Sequence, residues 1–171
     1  MLKDQNFVKK LSSCEIMGGA NNICSDKTGT ITMNLMTWTQ IWAGKDHKIE
    51  RVDEMTPLNV PDFMPSKFSQ HLLHQAVACN TEGTLEDAGA TEKAMIKFIT
   101  RCQVDFLKLR KKYLPDEMQR FPFDSARKRM STVLELPDDE KTEHNYPKRI
   151  HCKGASEIVL STCSHYLDVN G

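Results

Sequence analysis

The sequence has no net charge, no apolar run long enough to cross a bilayer, no C-x-x-C pair, no internal repeat and no G-x-x-x-x-G-K phosphate loop. Each absence removes a class of function. Lys+Arg and Asp+Glu both number 23, so bulk charge makes no case for nucleic acid or for an anionic membrane surface as partner. The longest apolar stretches, such as AMIKFI (94–99) and EIVL (157–160), fall far short of the roughly 18 residues that a membrane span needs. The opening MLKDQNFVKKLSS is polar from its first turn, unlike a secretory leader. Six scattered cysteines (14, 24, 79, 102, 152 and 163) read as reduced thiols of a cytosolic setting and not as a disulfide framework.

What remains is a chain of 171 residues, 39% hydrophobic, enough for one domain or for pieces of two. Residues 3–17 carry Phe7, Val8, Leu11 and Cys14 at helical spacing and predict an amphipathic helix. GGANNICSD then breaks it and leads into a buried strand around Ile23–Cys24. Two β-rich runs within 35–52 flank AGKDHK and predict a hairpin, with Trp38 and Trp42 as its core residues. The three prolines of VDEMTPLNVPDFMPS mark a loop. Helices are expected over about 66–80 (Phe68, Leu72, Ala76 and Cys79 on one face), 91–102 and 104–114. Strands resume with MQRFPF, RMSTVLEL and KRIHCKG, and a last helix begins near ASEIVLSTC. The pattern implies an α+β fold, an antiparallel sheet flanked by helices, over 35–171, set apart from a helix–strand–turn over 1–34.

Two stretches concentrate chemistry. In CSDKTGTITMN, Asp26 stands at the end of the expected strand, where open α/β sheets place ligands. A carboxylate there can act as a nucleophile toward phosphorus, and beside main-chain carbonyls it suits Mg²⁺. Lys27 adds positive charge, Thr28 and Thr30 add hydroxyls, and Gly29 permits a tight turn. The same residue types also make an ordinary solvated turn, so the residues alone leave both readings open. Further on, FPFDSARKRMSTV (121–133) sets aromatic rings beside a cationic run, and KGASEIVL (153–160) sets Lys153 and Gly154 before a helix. Rings stack on bases and cations meet phosphates. From the residues alone, alternating Phe in a sheet core and a capped helix start are the favoured readings of these stretches. His71 and His74, three apart on a helix, read as a solvated or half-buried pair.

The string DKTGTITMN resembles the phosphorylation motif of P-type ATPases, with Ile31 where that family usually has Leu. F-x-x-x-R-K-x-M-S (123–131) and K-G-A-x-E (153–157) are similar to the segments that surround the adenine in the family's nucleotide-binding domain. AGATEKAM (88–95) resembles its G-x-x-T-E-x-A segment, with the glycine shifted by one to Gly89. The whole chain looks most like the plasma-membrane-type calcium pumps of that family. The resemblance implies that Asp26 accepts the γ-phosphate of ATP and that Asp26 and the Thr28 carbonyl hold Mg²⁺, with Thr28 also touching the phosphate. It implies that Phe123 stacks on the adenine, that Glu92 accepts a hydrogen bond from it, and that Lys128, Lys153 and Gly154 line the pocket with Arg127 nearby.

By the same resemblance, 1–34 is an incomplete α/β, haloacid-dehalogenase-like segment of a phosphorylation domain, and 35–171 is most of a nucleotide-binding domain. Asn34–Met36 would be the hinge between them. The chain is then expected to be a cytosolic piece of an integral membrane pump, with Met1 internal and the calcium sites in membrane segments outside it. Two functions stay in play, a catalytic segment of a calcium pump (or of a pump for another cation) and an ATP-binding module without turnover, while a third is disfavoured, a soluble phosphatase. The last usually carries a second acid two residues after the nucleophile, where this chain has Thr28.

Overall fold

A computed structural model describes residues 10–49, 56–114, 120–140 and 147–171. By contacts the chain divides into two units, Met1–Leu35 and Met36–Gly171.

In the first unit a helix, α1 (Leu11–Gly18), begins after an extended Lys10 and ends on Gly19. The expected helix over 3–17 therefore does not run through Lys10, and its residues 3–9 lie outside the described residues. The expected strand at Ile23–Cys24 is not formed, and Ile23 is 90% exposed. The reason is physical: a strand needs a neighbour for its backbone groups, and the described part of this unit contains no other strand. Residues Lys27–Ile31 wind into one tight turn after Asp26.

The second unit is α+β. A hairpin of β1 (Gln40–Trp42) and β2 (Asp46–Lys48) is followed by a short helix α2 (Val60–Phe63), inside the stretch expected to be loop. Its proline sits in the first turn, where no donor is needed. Three helices follow: α3 (Lys67–Cys79), α4 (Ala90–Arg101) and α5 (Phe106–Tyr113). Side chains set two of their starts, since Ser66 Oγ accepts from the Ser69 N–H at 3.2 Å and Asp105 from the Lys108 N–H at 3.0 Å. Strands β3 (Arg120–Asp124), β4 (Arg129–Glu135) and β5 (Lys148–Gly154) form an antiparallel sheet in that order, and α6 (Ser156–Ser161) closes the described chain.

The central strand shows why the sheet takes this register. Met130, Thr132 and Leu134 alternate into the core and stand opposite Lys153, His151 and Arg149 of β5. Leu134 joins Val77, Ala78, Cys79, Ile99 and Tyr113 in one cluster. Ile49, Val60, Phe63, Met64 and Phe98 form a second cluster, onto which Trp38 stacks with its ring 4.1 Å from Phe98. Two expectations about faces are corrected. On α3 the buried residues are Gln75, Val77, Ala78 and Cys79, while Phe68 is 49% exposed. Trp42 is exposed and meets the edge of the Tyr166 ring, whereas Trp38 does pack into the core. The helix carries its polar Gln75 inward because that amide oxygen accepts from Arg149 at 2.7 Å and His151 at 2.9 Å. Burial, with the Arg149 charge beside it, pushes the His151 pKa down to about 4, so it makes this contact as a neutral ring.

One cluster fastens the turn after β4 to the helices. Glu140 accepts from Lys112 at 2.6 Å, from the Tyr113 hydroxyl, and faces His71 Nε2 at 3.1 Å. His71 is thus half-buried and in hydrogen-bond contact with Glu140. Burial of Glu140 favours its neutral form, but the hydrogen bonds from Lys112, Tyr113 and His71 together outweigh it and hold its pKa below the ordinary value. A carboxylate whose folded pKa is depressed adds stability above its unfolded pKa and loses it as pH falls through the folded one. This contribution is therefore expected to fade on the acid side of about pH 4. Glu140→Ala is expected to cost about 1–3 kcal/mol at neutral pH, because it removes the acceptor that Lys112 and the buried Tyr113 hydroxyl share. Chemical denaturation of both proteins at pH 7 and pH 3 checks this: the gap between them narrows in acid, and a gap independent of pH contradicts it.

Candidate functional site

A cavity of about 670 Å³ opens between α4, the sheet and the loop after α3, within the roughly 300–1,000 Å³ range of small-molecule sites. Each wall has a sequence reason. The first turn of α4 supplies Thr91 and Glu92, and Met95 lies one turn further along that helix. The inward alternation of β4 supplies Met130, the end of β5 supplies Lys153 and Gly154, and β3 carries Phe123 to the rim. Glu82 comes from the loop.

The polar groups converge. The Lys153 ammonium pairs with Glu92 Oε1, and the Glu82 N–H donates to Glu92 Oε2 at 2.8 Å. Both charged side chains are largely shielded from water, at 24% and 18% exposure, so their attraction is less screened than that of a surface pair. Opposite them the Phe123 ring is 61% exposed, although its strand position would suit a core residue. Met95 and Met130 give the cavity polarizable apolar surface that adapts to a flat ring. Gly154 is needed because the backbone passes too close for a side chain: a Cβ there would stand 2.3 Å from the Lys128 carbonyl oxygen and 2.8 Å from Arg129 Cα.

Arg127 and Lys128 occupy the turn between β3 and β4 and do not line the cavity. Asp124 Oδ1 accepts from the N–H groups of Ala126 at 3.0 Å and Arg127 at 2.8 Å, and Lys128 takes a positive φ of 52°. The Arg127 guanidinium donates back to the Pro122 carbonyl at 2.9 Å, and Lys128 contributes its carbonyl to the Ala155 N–H at 3.0 Å. Both side chains are exposed beside the Phe123 strand. The structure therefore brings together Glu92, Phe123, Lys153 and Gly154. The lining residues that sequence reasoning did not assign to the site are Glu82, Gly89, Thr91, Met95 and Met130. Two of them had signals: Met95 is three residues from Glu92 on a helix, and Met130 alternates inward on β4.

Asp26 and Thr28 lie in the other unit, on an exposed turn. Asp26 is extended, and its Oδ1 accepts the Lys27 N–H at 2.7 Å. Gly29 sits at φ 80°, which permits the reversal that lets the Thr32 N–H reach the Lys27 carbonyl at 3.0 Å. For Mg²⁺ the donor chemistry fits in part. The Asp26 carboxylate and the Thr28 carbonyl are hard oxygens, but among the described residues no three His, Cys, Asp or Glu side chains converge to complete a shell. Among the described residues, too, no helix is long and apolar enough to cross a membrane.

Comparison with known proteins places the chain in a family. Residues 69–171 match the family model "P-type ATPase, cytoplasmic domain N", the stretch that contains every wall of the cavity. The chain is 36% identical over 177 residues to Calcium-transporting ATPase 10, plasma membrane-type, of Arabidopsis thaliana, covering 98% of this chain and 15% of that protein. It is 37% identical over 185 residues to Plasma membrane calcium-transporting ATPase 3 of Rattus norvegicus, covering 100% of this chain and 14% of the relative. The human protein of the same name is 36% identical over 185 residues, with 100% and 14% covered. The chain thus spans about one-seventh of the length of these relatives. With its cavity built inside the matched segment, the chain belongs to the P-type ATPase family, through that family's cytoplasmic domain N.

Proposed function

We propose that this chain is the cytosolic, ATP-handling part of a calcium-transporting pump: residues 35–171 hold the nucleotide, and residues 1–34 belong to a phosphorylation domain with Asp26 as phosphoryl acceptor. The observation that carries the reading is the convergence of Glu92, Phe123, Lys153 and Gly154, from three separate elements, on one cavity of nucleotide size. Calcium enters through the names of the relatives, and the membrane through segments outside the described chain.

In this reading the exposed Phe123 ring stacks on adenine. The Glu92 carboxylate, paired with Lys153, accepts a hydrogen bond from the exocyclic amine. Lys153 turns its remaining N–H groups toward the nucleotide, and Gly154 keeps the strand backbone close to it. Arg127 and Lys128, on the exposed turn next to Phe123, offer charge to the phosphate chain. At the second site an Asp26 carboxylate oxygen attacks the γ-phosphorus. A new O–P bond forms while the bond to the bridging oxygen breaks, and ADP leaves with the electron pair. Mg²⁺, when bound by Asp26 and the Thr28 carbonyl, supplies neutralising charge for the phosphate. Lys27 adds fixed positive charge beside the acceptor.

Calorimetric titration of ATP into the chain and into Phe123→Ala tests the pocket. Loss of one base–aromatic stack is expected to weaken binding by about 1–3 kcal/mol, and equal affinity would remove Phe123 from the site. A second reading, an ATP-binding module without turnover, describes the chain taken alone. The exposed Ile23 and the missing strand before Asp26 favour it, since the acceptor then lacks the sheet that would hold it in place.

A further inference from the structure

Arg110 of α5 does not line the cavity, yet it makes the densest set of hydrogen bonds near it. Its Nε donates to the Ala78 carbonyl at 3.0 Å and Nη1 to the Gly83 carbonyl at 2.8 Å. Its Nη2 donates to both the carbonyl (3.1 Å) and the hydroxyl oxygen (3.0 Å) of Thr81. Thr81 is fully buried and returns its own hydroxyl proton to the Val77 carbonyl at 2.8 Å. The guanidinium is positioned from behind by the Phe106 ring, 5.3 Å from its carbon. From the other side the Thr132 hydroxyl of β4 donates to Asn80 Oδ1 at 2.9 Å.

These bonds bracket one residue. Arg110 holds the carbonyls of Thr81 and Gly83, and between them the Glu82 N–H points at Glu92 Oε2 at 2.8 Å. Glu92 in turn pairs with Lys153 at the cavity wall. A planar fork with five N–H donors can hold several carbonyls at fixed separations, which a lysine ammonium on a flexible stem cannot do. We propose that Arg110 is a positioning residue for the nucleotide cavity: it clamps the 78–83 loop so that the Glu82 N–H fixes the Glu92 carboxylate beside Lys153, in the orientation that meets the base. The proposal rests on the nucleotide reading of the cavity given above.

A double-mutant cycle on the 171-residue chain separates this role from plain stabilisation, with calorimetric ATP titration and thermal unfolding as readouts. Arg110→Lys keeps the charge and most of the stem. It is expected to bind ATP about fivefold more weakly while still folded, the scale of one or two lost hydrogen bonds. In a Glu92→Ala background the same substitution is expected to change affinity by less than about twofold, because the group it acts through is gone. A folded Arg110→Lys protein that binds like the wild type, or a loss of equal size in both backgrounds, overturns the proposal. If Phe123→Ala weakens binding and Arg110→Lys does not, the clamp alone is wrong. If neither substitution matters, the nucleotide reading falls and takes the clamp with it. Amide exchange gives an arm that needs no Arg110 variant. The Glu82 N–H is expected to exchange slowly in the wild type and about tenfold faster in Glu92→Ala, and exchange indifferent to Glu92→Ala overturns the proposal.

Discussion

In a full-length pump built around this sequence, Asp26→Asn is expected to abolish the acid-stable, hydroxylamine-sensitive phosphoenzyme formed from radiolabelled ATP in calcium. The substitution is nearly isosteric, an asparagine Oδ1 can still accept the Lys27 N–H, and Thr32 ties Gly29 and Lys27 together through its N–H and hydroxyl, so the shape of the turn is retained. The chemistry is not. An amide oxygen is a poor nucleophile and brings no negative charge to a divalent ion. ATP affinity is expected to be unchanged, because every residue assigned to the nucleotide cavity lies in Met36–Gly171. The chain by itself is expected to give little phosphoenzyme even with Asp26 intact, since Ile23 is exposed and the stretch before Asp26 forms no strand. Persistent labelling of the asparagine variant in the pump would falsify the assignment of Asp26.

The second large effect is expected at Gly154. Its backbone lies so close to the turn at Lys128 that a methyl group would overlap the Lys128 carbonyl oxygen, Arg129 Cα and Arg129 Cβ. All three atoms belong to the backbone or its first side-chain carbon, so none can swing away as the end of a flexible side chain could. Relief requires β5 to part from β4 at the Arg129–Gly154 pair, next to Lys153. Gly154→Ala is thus expected to destabilise the chain by about 2–3 kcal/mol. It should weaken ATP binding as well, because the displaced strand end carries the Lys153 ammonium away from Glu92. Urea unfolding and ATP titration of the same preparation check both parts. A Gly154→Ala protein as stable as the wild type would show that this close approach carries no cost.

Much of the fold was legible because local rules decide it. Ser66 and Asp105 cap the starts of α3 and α5 through their own side chains, and alternation along β4 places Met130, Thr132 and Leu134 inward. Residues whose environment depends on distant partners were not legible. Nothing local distinguishes Trp38, stacked on Phe98, from Trp42, which stays exposed. Gln75 is buried on α3 only because Arg149 and His151 arrive from a strand more than seventy residues later. Ile23 reads as strand because it is apolar after glycines, yet a lone segment without pairing partners stays open.

The candidate site divides in the same way. Phe123, Lys153, Gly154 and Glu92 stood out through strings that resemble a known family, and the structure adds the Glu92–Lys153 pair, whose members lie 61 residues apart. The resemblance implied that Lys128 lines the pocket with Arg127 nearby, whereas the positive φ of Lys128 and the Asp124 cap hold their turn outside its lining. The role of the 78–83 loop had no sequence signature, because it depends on a guanidinium 27 to 32 residues away.

Photoaffinity labelling with an azido-adenine nucleotide tests most directly whether this cavity holds the base. The 171-residue chain is irradiated with the probe, with and without excess ATP, digested, and the modified peptides are identified by mass spectrometry. ATP-protected label is expected on the peptides that carry Glu92, Phe123 or Lys153, and on none from residues 10–49. Protected label confined to other segments, or labelling that excess ATP does not suppress, would contradict the assignment of the cavity.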